Sequence, residues 1–119
     1  MVILDTSYWI EFLKNKAPNS DEVRRLLEDR HVIGLSFVMA ELLQGCRSER
    51  EVNLILAYWE SIPKIDESNI WIEAGRLSYK KKLFAKGIGI IDAAILVVSI
   101  QHNYRLLTLD KALLSVLNT

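Results

Sequence analysis

Near its start the chain runs Val2-Ile3-Leu4-Asp5-Thr6-Ser7, and these six residues decide how the rest is read. Val2-Ile3-Leu4 is a short, β-branched and wholly apolar run, which predicts a strand. Thr6-Ser7 offers a helix start ahead of Trp9, Phe12 and Leu13, spaced i, i+3, i+4. Asp5 therefore stands at the carboxyl end of a strand, the edge at which open α/β sheets bind ligands.

The same alternation continues outward. Pro18 breaks the first helix, and Asn19 with Glu22 forms a variant capping box ahead of Val23, Leu26 and Leu27, predicting a helix to about Arg30. Val32-Ile33-Gly34-Leu35 predicts a second strand. Ser36 then caps a helix through Val38 to Leu43 that Gly45 ends. Ser48-Glu49-Arg50-Glu51 is a full capping box, with Val52, Ile55, Leu56 and Trp59 on one helical face behind it. Pro63 confines any strand at Ile62 to Asp66 to a sheet edge. A long helix is expected from Ser68 to about Lys86, with Ile70, Ala74, Leu77 and Phe84 on one stripe. Gly87 and Gly89 mark a turn, Ile91 to Gln101 a strongly apolar helix, Tyr104 to Leu109 a strand, and Lys111 to Leu117 a closing helix. Strands joined by helical crossovers argue for a parallel α/β sheet covered on both faces.

Length and composition agree. With 119 residues, half of them apolar, a quarter charged and Lys+Arg equal to Asp+Glu at 15 each, the chain reads as one compact domain over 1–119. At that size about two-thirds of the unfolded surface can be buried. The apolar run Ala93 to Ile100 is far short of the roughly 18 to 20 residues that cross a bilayer, and the start lacks a basic region before Asp5, so a cytoplasmic location and no membrane are expected. Cys46 is the single cysteine, and no Cys/His spacing suggests zinc. Zero net charge leaves nucleic acid undecided as a partner.

Most acids sit where helices begin, on polar helix faces, or, as with Asp66-Glu67, in a loop. Four do not. Asp5 and Asp110 follow the apolar runs Val2-Ile3-Leu4 and Leu106-Leu107-Thr108-Leu109, while Glu41 and Asp92 interrupt apolar helical stretches. Charge in such surroundings is costly unless paired, and two carboxylates about 4 Å apart repel by ~4 kcal/mol at an effective dielectric of 20. Parallel strands bring their carboxyl ends to one edge, where the four acids can converge. No Lys or Arg lies inside the four motifs, so a divalent cation is the economical partner, and oxygen-only donors suit Mg²⁺ or Mn²⁺.

The set Val2-Ile3-Leu4-Asp5-Thr6-Ser7, Met39-Ala40-Glu41-Leu42-Leu43-Gln44-Gly45, Ile91-Asp92-Ala93-Ala94-Ile95 and Leu106-Leu107-Thr108-Leu109-Asp110 resembles the motifs of PIN-domain proteins. The resemblance covers nearly the whole chain and is strongest to VapC-like toxins of the VapB–VapC toxin–antitoxin type. It implies a three-layer α/β/α fold with a central parallel sheet of four or five strands and Mg²⁺- or Mn²⁺-dependent endoribonuclease activity. It also implies a cognate VapB-like antitoxin and usually a homodimer. By position, Asp5, Glu41, Asp92 and Asp110 match the catalytic, metal-holding quartet, with Asp5 and Asp92 foremost, and Thr6 and Thr108 would be supporting hydroxyls. Two departures are that the chain stops at Leu117-Asn118-Thr119 without the further strand common in the family, and that Leu113 stands where an aromatic is often found.

The chemistry implied is phosphodiester hydrolysis with 5′-phosphate and 3′-hydroxyl products. His31 and His102 read as structural or exposed, so a histidine acid–base pair is not expected. Arg76, Lys80, Lys81, Lys82 and Lys86 are candidate RNA contacts, because their helix leads into the turn before Asp92. Three other readings are a DNA-directed metal nuclease, a Mg²⁺-binding phospho-acceptor domain and an interaction-only domain. The phospho-acceptor reading is disfavoured because Asp5 is followed by Thr6-Ser7 rather than by a second acid.

Overall fold

The structure, a computed structural model, describes residues 1–117. The elements in order are β1 (Val2–Leu4), α1 (Thr6–Leu13), α2 (Asn19–Glu28), β2 (Val32–Ile33), α3 (Ser36–Gln44) and α4 (Glu49–Ser61). They continue with α5 (Ile70–Lys81), a 3-10 turn (Phe84–Lys86), α6 (Ile90–His102), β3 (Arg105–Leu107) and α7 (Lys111–Leu117). The strands are parallel in the order β2-β1-β3, with Ile3 opposite Ile33 on one side and Leu106 on the other. All three residues of β1 are buried. Because successive strand residues point to opposite faces, both faces of the sheet are covered.

The sheet is smaller than expected: among the described residues it has three strands, not four or five. The segment around Pro63 contributes only an isolated parallel bridge, Gly34 with Lys64, beside β2. Pro63 accepts from Gly34 N–H at 2.8 Å but has no N–H to return, so the ladder stops after one rung. Gly34 is required there by space. A Cβ on it would lie 2.8 Å from Ile62 Cδ1 and 3.1 Å from Trp59 Cζ3, and Ile62 is itself buried. Gly34→Ala is expected to lower stability by about 1–3 kcal/mol through overpacking. Urea denaturation should show it as a lower midpoint with an unchanged slope.

Helix starts follow the sequence unevenly. The Ser48 box forms, with Glu51 N–H on Ser48 Oγ at 3.2 Å, while the Glu51 carboxylate reaches back to Arg47 N–H at 3.2 Å. The Asn19 box does not form. Pro18 holds the cap position of α2, and Asn19 and Glu22 instead accept from the Tyr8 hydroxyl at 3.3 and 3.2 Å. That contact pins α2 to α1.

The expected helix from Ser68 to Lys86 is also divided. It starts at Ile70 and ends at Lys81, because Lys82 takes a left-handed conformation (φ 56°) and Leu83 N–H closes on Ser78 O at 3.0 Å. Leu83 and Ile88, both fully buried, draw the chain inward, joined by Ile88 N–H on Leu83 O at 3.0 Å. Phe84, expected on the buried stripe, is 86% exposed. The antiparallel partner of α5 is α6, whose residues Ala93 to Val98 are all buried. Among the described residues no helix is long and apolar enough to cross a membrane.

Candidate active site

Asp5 emerges from the carboxyl end of β1 with almost no exposure, at 4%. Its Oδ1 accepts from Tyr8 N–H at 3.0 Å, capping α1, and from Ser7 Oγ at 2.6 Å; its Oδ2 accepts from the Thr108 hydroxyl. Asp110, past the end of β3, caps α7 in the same way: its Oδ1 accepts from Ala112 and Leu113 N–H at 2.8 and 3.1 Å. Both acids are therefore helix caps as well as site candidates. Glu41, half-buried on α3, accepts from Thr6 Oγ1 at 2.7 Å, so α1 orients it. The helix that carries Glu41 is fixed in turn from the α4–α5 connection. Ser36 N–H and Oγ donate to the two oxygens of Glu67 at 2.8 and 2.5 Å. Glu67, expected as a solvated loop residue, thus caps α3.

Asp92 sits in the first turn of α6, half-buried, and accepts no hydrogen bond from any described residue. A helix N-terminus favours an anion by ~0.3–1 kcal/mol. Burial, and then the charges of Asp110, Asp5 and Glu41, act in the opposite direction and win. They push the Asp92 carboxyl up to about 6 from an ordinary 3.8. Asp92 is thus close enough to feel each of the other three acids. Among the described residues no group of three or more acids, histidines or cysteines is gathered closely enough to hold a metal ion.

Donor chemistry decides what such a set can hold. All four groups are carboxylates, hard oxygen donors without a neighbouring thiolate or imidazole, and each carboxylate has about four lone-pair positions, so the hydrogen bonds on Asp5 do not exhaust it. Carboxylate oxygens of this kind suit Mg²⁺ or Mn²⁺, which keep several waters and need few protein ligands. No described Lys or Arg does the same work: the ion pairs are Arg24–Asp21, Arg76–Glu73 and Arg105–Glu22, all away from the quartet.

The basic candidates are not drawn to the acids. Arg76, Lys80, Lys81, Lys82 and Lys86 are all exposed, and Arg76 is paired with Glu73 at 3.3 Å. Arg76 and Lys80 line a groove of about 450 Å³ between α5 and α6, which Lys81, Lys82 and Lys86 do not. A second groove, of about 580 Å³, starts at Thr6 and Glu41 and runs over Ile10, Leu13, Leu42, Leu54 and Ile55. His31 precedes β2 and His102 ends the helix before β3, placing both at the sheet edge opposite Asp5.

With the geometry in hand, comparison with known proteins settles the family. The model of the PIN domain family matches residues 2–116. The chain belongs to the PIN domain family. Ribonuclease VapC32 from two Mycobacterium tuberculosis strains, CDC 1551 / Oshkosh and ATCC 25618 / H37Rv, is in each case 32% identical over 115 residues. The match covers 95% of this chain and 87% of the relative. The VapC-like resemblance thus holds over nearly the whole chain. One residue beside the candidate site escapes sequence reasoning beyond its place in a motif: Ser7, which joins Asp5 to Leu109 N–H (2.9 Å) across a separation of 102 residues. Its signal was a hydroxyl two positions after a strand-end acid, a spacing that serves equally well in an ordinary helix start.

Proposed function

We propose that this PIN domain is a Mg²⁺- or Mn²⁺-dependent endoribonuclease, the toxin of a type II toxin–antitoxin system of the VapB–VapC type. The observation that carries this reading is Asp92, an acid that accepts no hydrogen bond from any described residue and whose proton affinity is raised by burial and by Asp110, Asp5 and Glu41. Such a cluster is costly by itself and becomes favourable around a cation. The name ribonuclease borne by the relatives supports RNA as the substrate class.

A bound divalent ion supplies Lewis-acid polarisation of the phosphate and a water of much lowered pKa. Asp5 and Asp92 are its principal holders, with Glu41 and Asp110 completing the set. Asp92 has the fewest interactions to give up, whereas Asp5 offers the most rigid oxygens. Thr6 keeps Glu41 turned toward the site, and Thr108 orients Asp5. Arg76, Lys80, Lys81, Lys82 and Lys86 provide cationic surface that offsets the repulsion between RNA backbone and acids.

The exposed apolar residues Ile72, Tyr79, Phe84 and Ile100, on α5, α6 and the turn between them, are 66–88% accessible and support a homodimer through this hairpin. The groove over Ile10, Leu13, Leu42 and Leu54 supports an antitoxin segment with an apolar face, seated beside Glu41. Its expected consequence is inhibition of cleavage when such a partner is co-purified.

The test is cleavage of single-stranded, structured and transfer-like RNAs, with DNA alongside, by wild type, Asp5→Ala and Asp92→Ala in Mg²⁺, Mn²⁺ or EDTA. RNA cleavage that requires metal and is lost in both variants is expected. DNA cleavage alone would redirect the reading to a DNA nuclease, and equal cleavage by all three proteins would overturn it.

A further inference from the structure

Two hydroxyls bracket the Asp5 carboxylate, one on each oxygen. Ser7 Oγ donates to Oδ1 at 2.6 Å, and Thr108 Oγ1 donates to Oδ2. Each hydroxyl is also an acceptor: Leu109 N–H donates to Ser7 Oγ at 2.9 Å, and Asp110 N–H donates to Thr108 Oγ1 at 3.0 Å. Each hydroxyl accepts from an amide with one of its two lone pairs and gives its single proton to the carboxylate, so each relay runs from amide through hydroxyl to carboxylate. Two successive amides of the β3–α7 connection are thereby tied to the two oxygens of one side chain on the far side of the sequence. The second of these amides belongs to Asp110 itself, another of the four acids.

From this geometry we infer that Ser7 is a positioning residue. It registers Asp5 against the β3–α7 connection that carries Asp110, and so sets how tightly the acid cluster holds its divalent cation. The inference rests on the nuclease reading for the purpose of that cation, although the relay itself stands on the hydrogen bonds. Thr108 alone holds one oxygen and one amide. Adding Ser7 fixes the rotation of the carboxylate and ties α1 to the β3–α7 connection. Removing the Ser7 hydroxyl leaves Asp5 with Tyr8 N–H and Thr108, so the cap of α1 survives while Oδ1 loses its closest donor and Leu109 N–H loses its acceptor.

Titration of the full chain with Mn²⁺, followed by the paramagnetic resonance of the free aquo ion, tests this on wild type, Ser7→Ala, Ser7→Thr and Ser99→Ala. Ser99 Oγ donates to Tyr104 O at 2.7 Å, a half-buried hydrogen bond away from the acids, and serves as the control for general loosening. Partners that orient metal ligands are worth about 10–100-fold in affinity, so Ser7→Ala should bind Mn²⁺ at least about tenfold more weakly. Ser7→Thr, which keeps the hydroxyl, and Ser99→Ala should stay within about threefold of wild type. Cleavage of RNA by Ser7→Ala should recover at saturating Mn²⁺. Wild-type affinity in Ser7→Ala, or an equal loss in Ser99→Ala, would overturn the inference. A wild type that neither binds Mn²⁺ nor cleaves RNA would instead overturn the nuclease reading. Hydrogen exchange at the Leu109 amide then judges the relay alone, with faster exchange in Ser7→Ala supporting it and unchanged exchange refuting it.

Discussion

Asp92→Asn is expected to abolish RNA cleavage, by on the order of 10³-fold, and at the same time to make the protein more stable in metal-free buffer at neutral pH. The stability sign follows from the direction of the shift. The folded carboxyl titrates at about 6, above the ordinary 3.8, so between those values the folded chain holds a proton that the unfolded chain has lost. Wild-type stability therefore falls as pH rises through this window, and the full loss persists above pH 6. Two pH units correspond to about 3 kcal/mol; solvent screening of a half-buried group reduces that to about 1–2 kcal/mol. Asparagine carries no such cost. Thermal unfolding of the two proteins in EDTA should coincide near pH 4 and separate towards pH 7.5, with the variant the more stable. Mg²⁺ should narrow the gap by binding wild type selectively. Parallel curves at every pH would show that Asp92 is not under strain from its neighbours.

The second large effect has the opposite sign. Asp5→Ala removes the cap of α1 and leaves the Ser7 hydroxyl, the Thr108 hydroxyl and Tyr8 N–H without their acceptor. Losing a cap and abandoning buried donors costs about 2–4 kcal/mol together, in addition to the loss of cleavage. Asp5→Asn retains shape and one acceptor oxygen and should be hurt less. Urea denaturation in EDTA separates the three proteins, and an Asp5→Ala variant as stable as wild type would refute the bracketing hydrogen bonds. Within a single cluster, then, one acid is held at a cost to the fold and another holds the fold together. The difference is in their partners: among the described residues Asp5 accepts three hydrogen bonds and Asp92 accepts none.

These partners also mark the limit of what the sequence made legible. Asp5, Glu41, Asp92 and Asp110 could be singled out because each interrupts an apolar run or ends one, a local and visible feature. The strands β1, β2 and β3 were legible for the same reason: β1 spans its whole apolar run, while β2 and β3 are shorter than expected. Ser7 and Glu67 were not, since their contacts span 102 and 31 residues and nothing in their surroundings sets them apart from a helix start and a loop. Lys82 shows a different failure. Its helical pattern continues through Phe84, but burial of Leu83 and Ile88 outweighs propensity and turns the chain, splitting the basic cluster into two segments. At Pro63 the sequence correctly weakened the strand, and only one bridge forms.

The pairing of Thr108 with Asp5 bridges 103 positions of the chain. The two residues meet only when β3 docks beside β1, so until that pairing forms Asp5 lacks one of its brackets and the quartet lacks a member. The acid centre is thus a product of long-range docking, and opening the β3–α7 connection alone would dismantle it while β1 stays paired with β2.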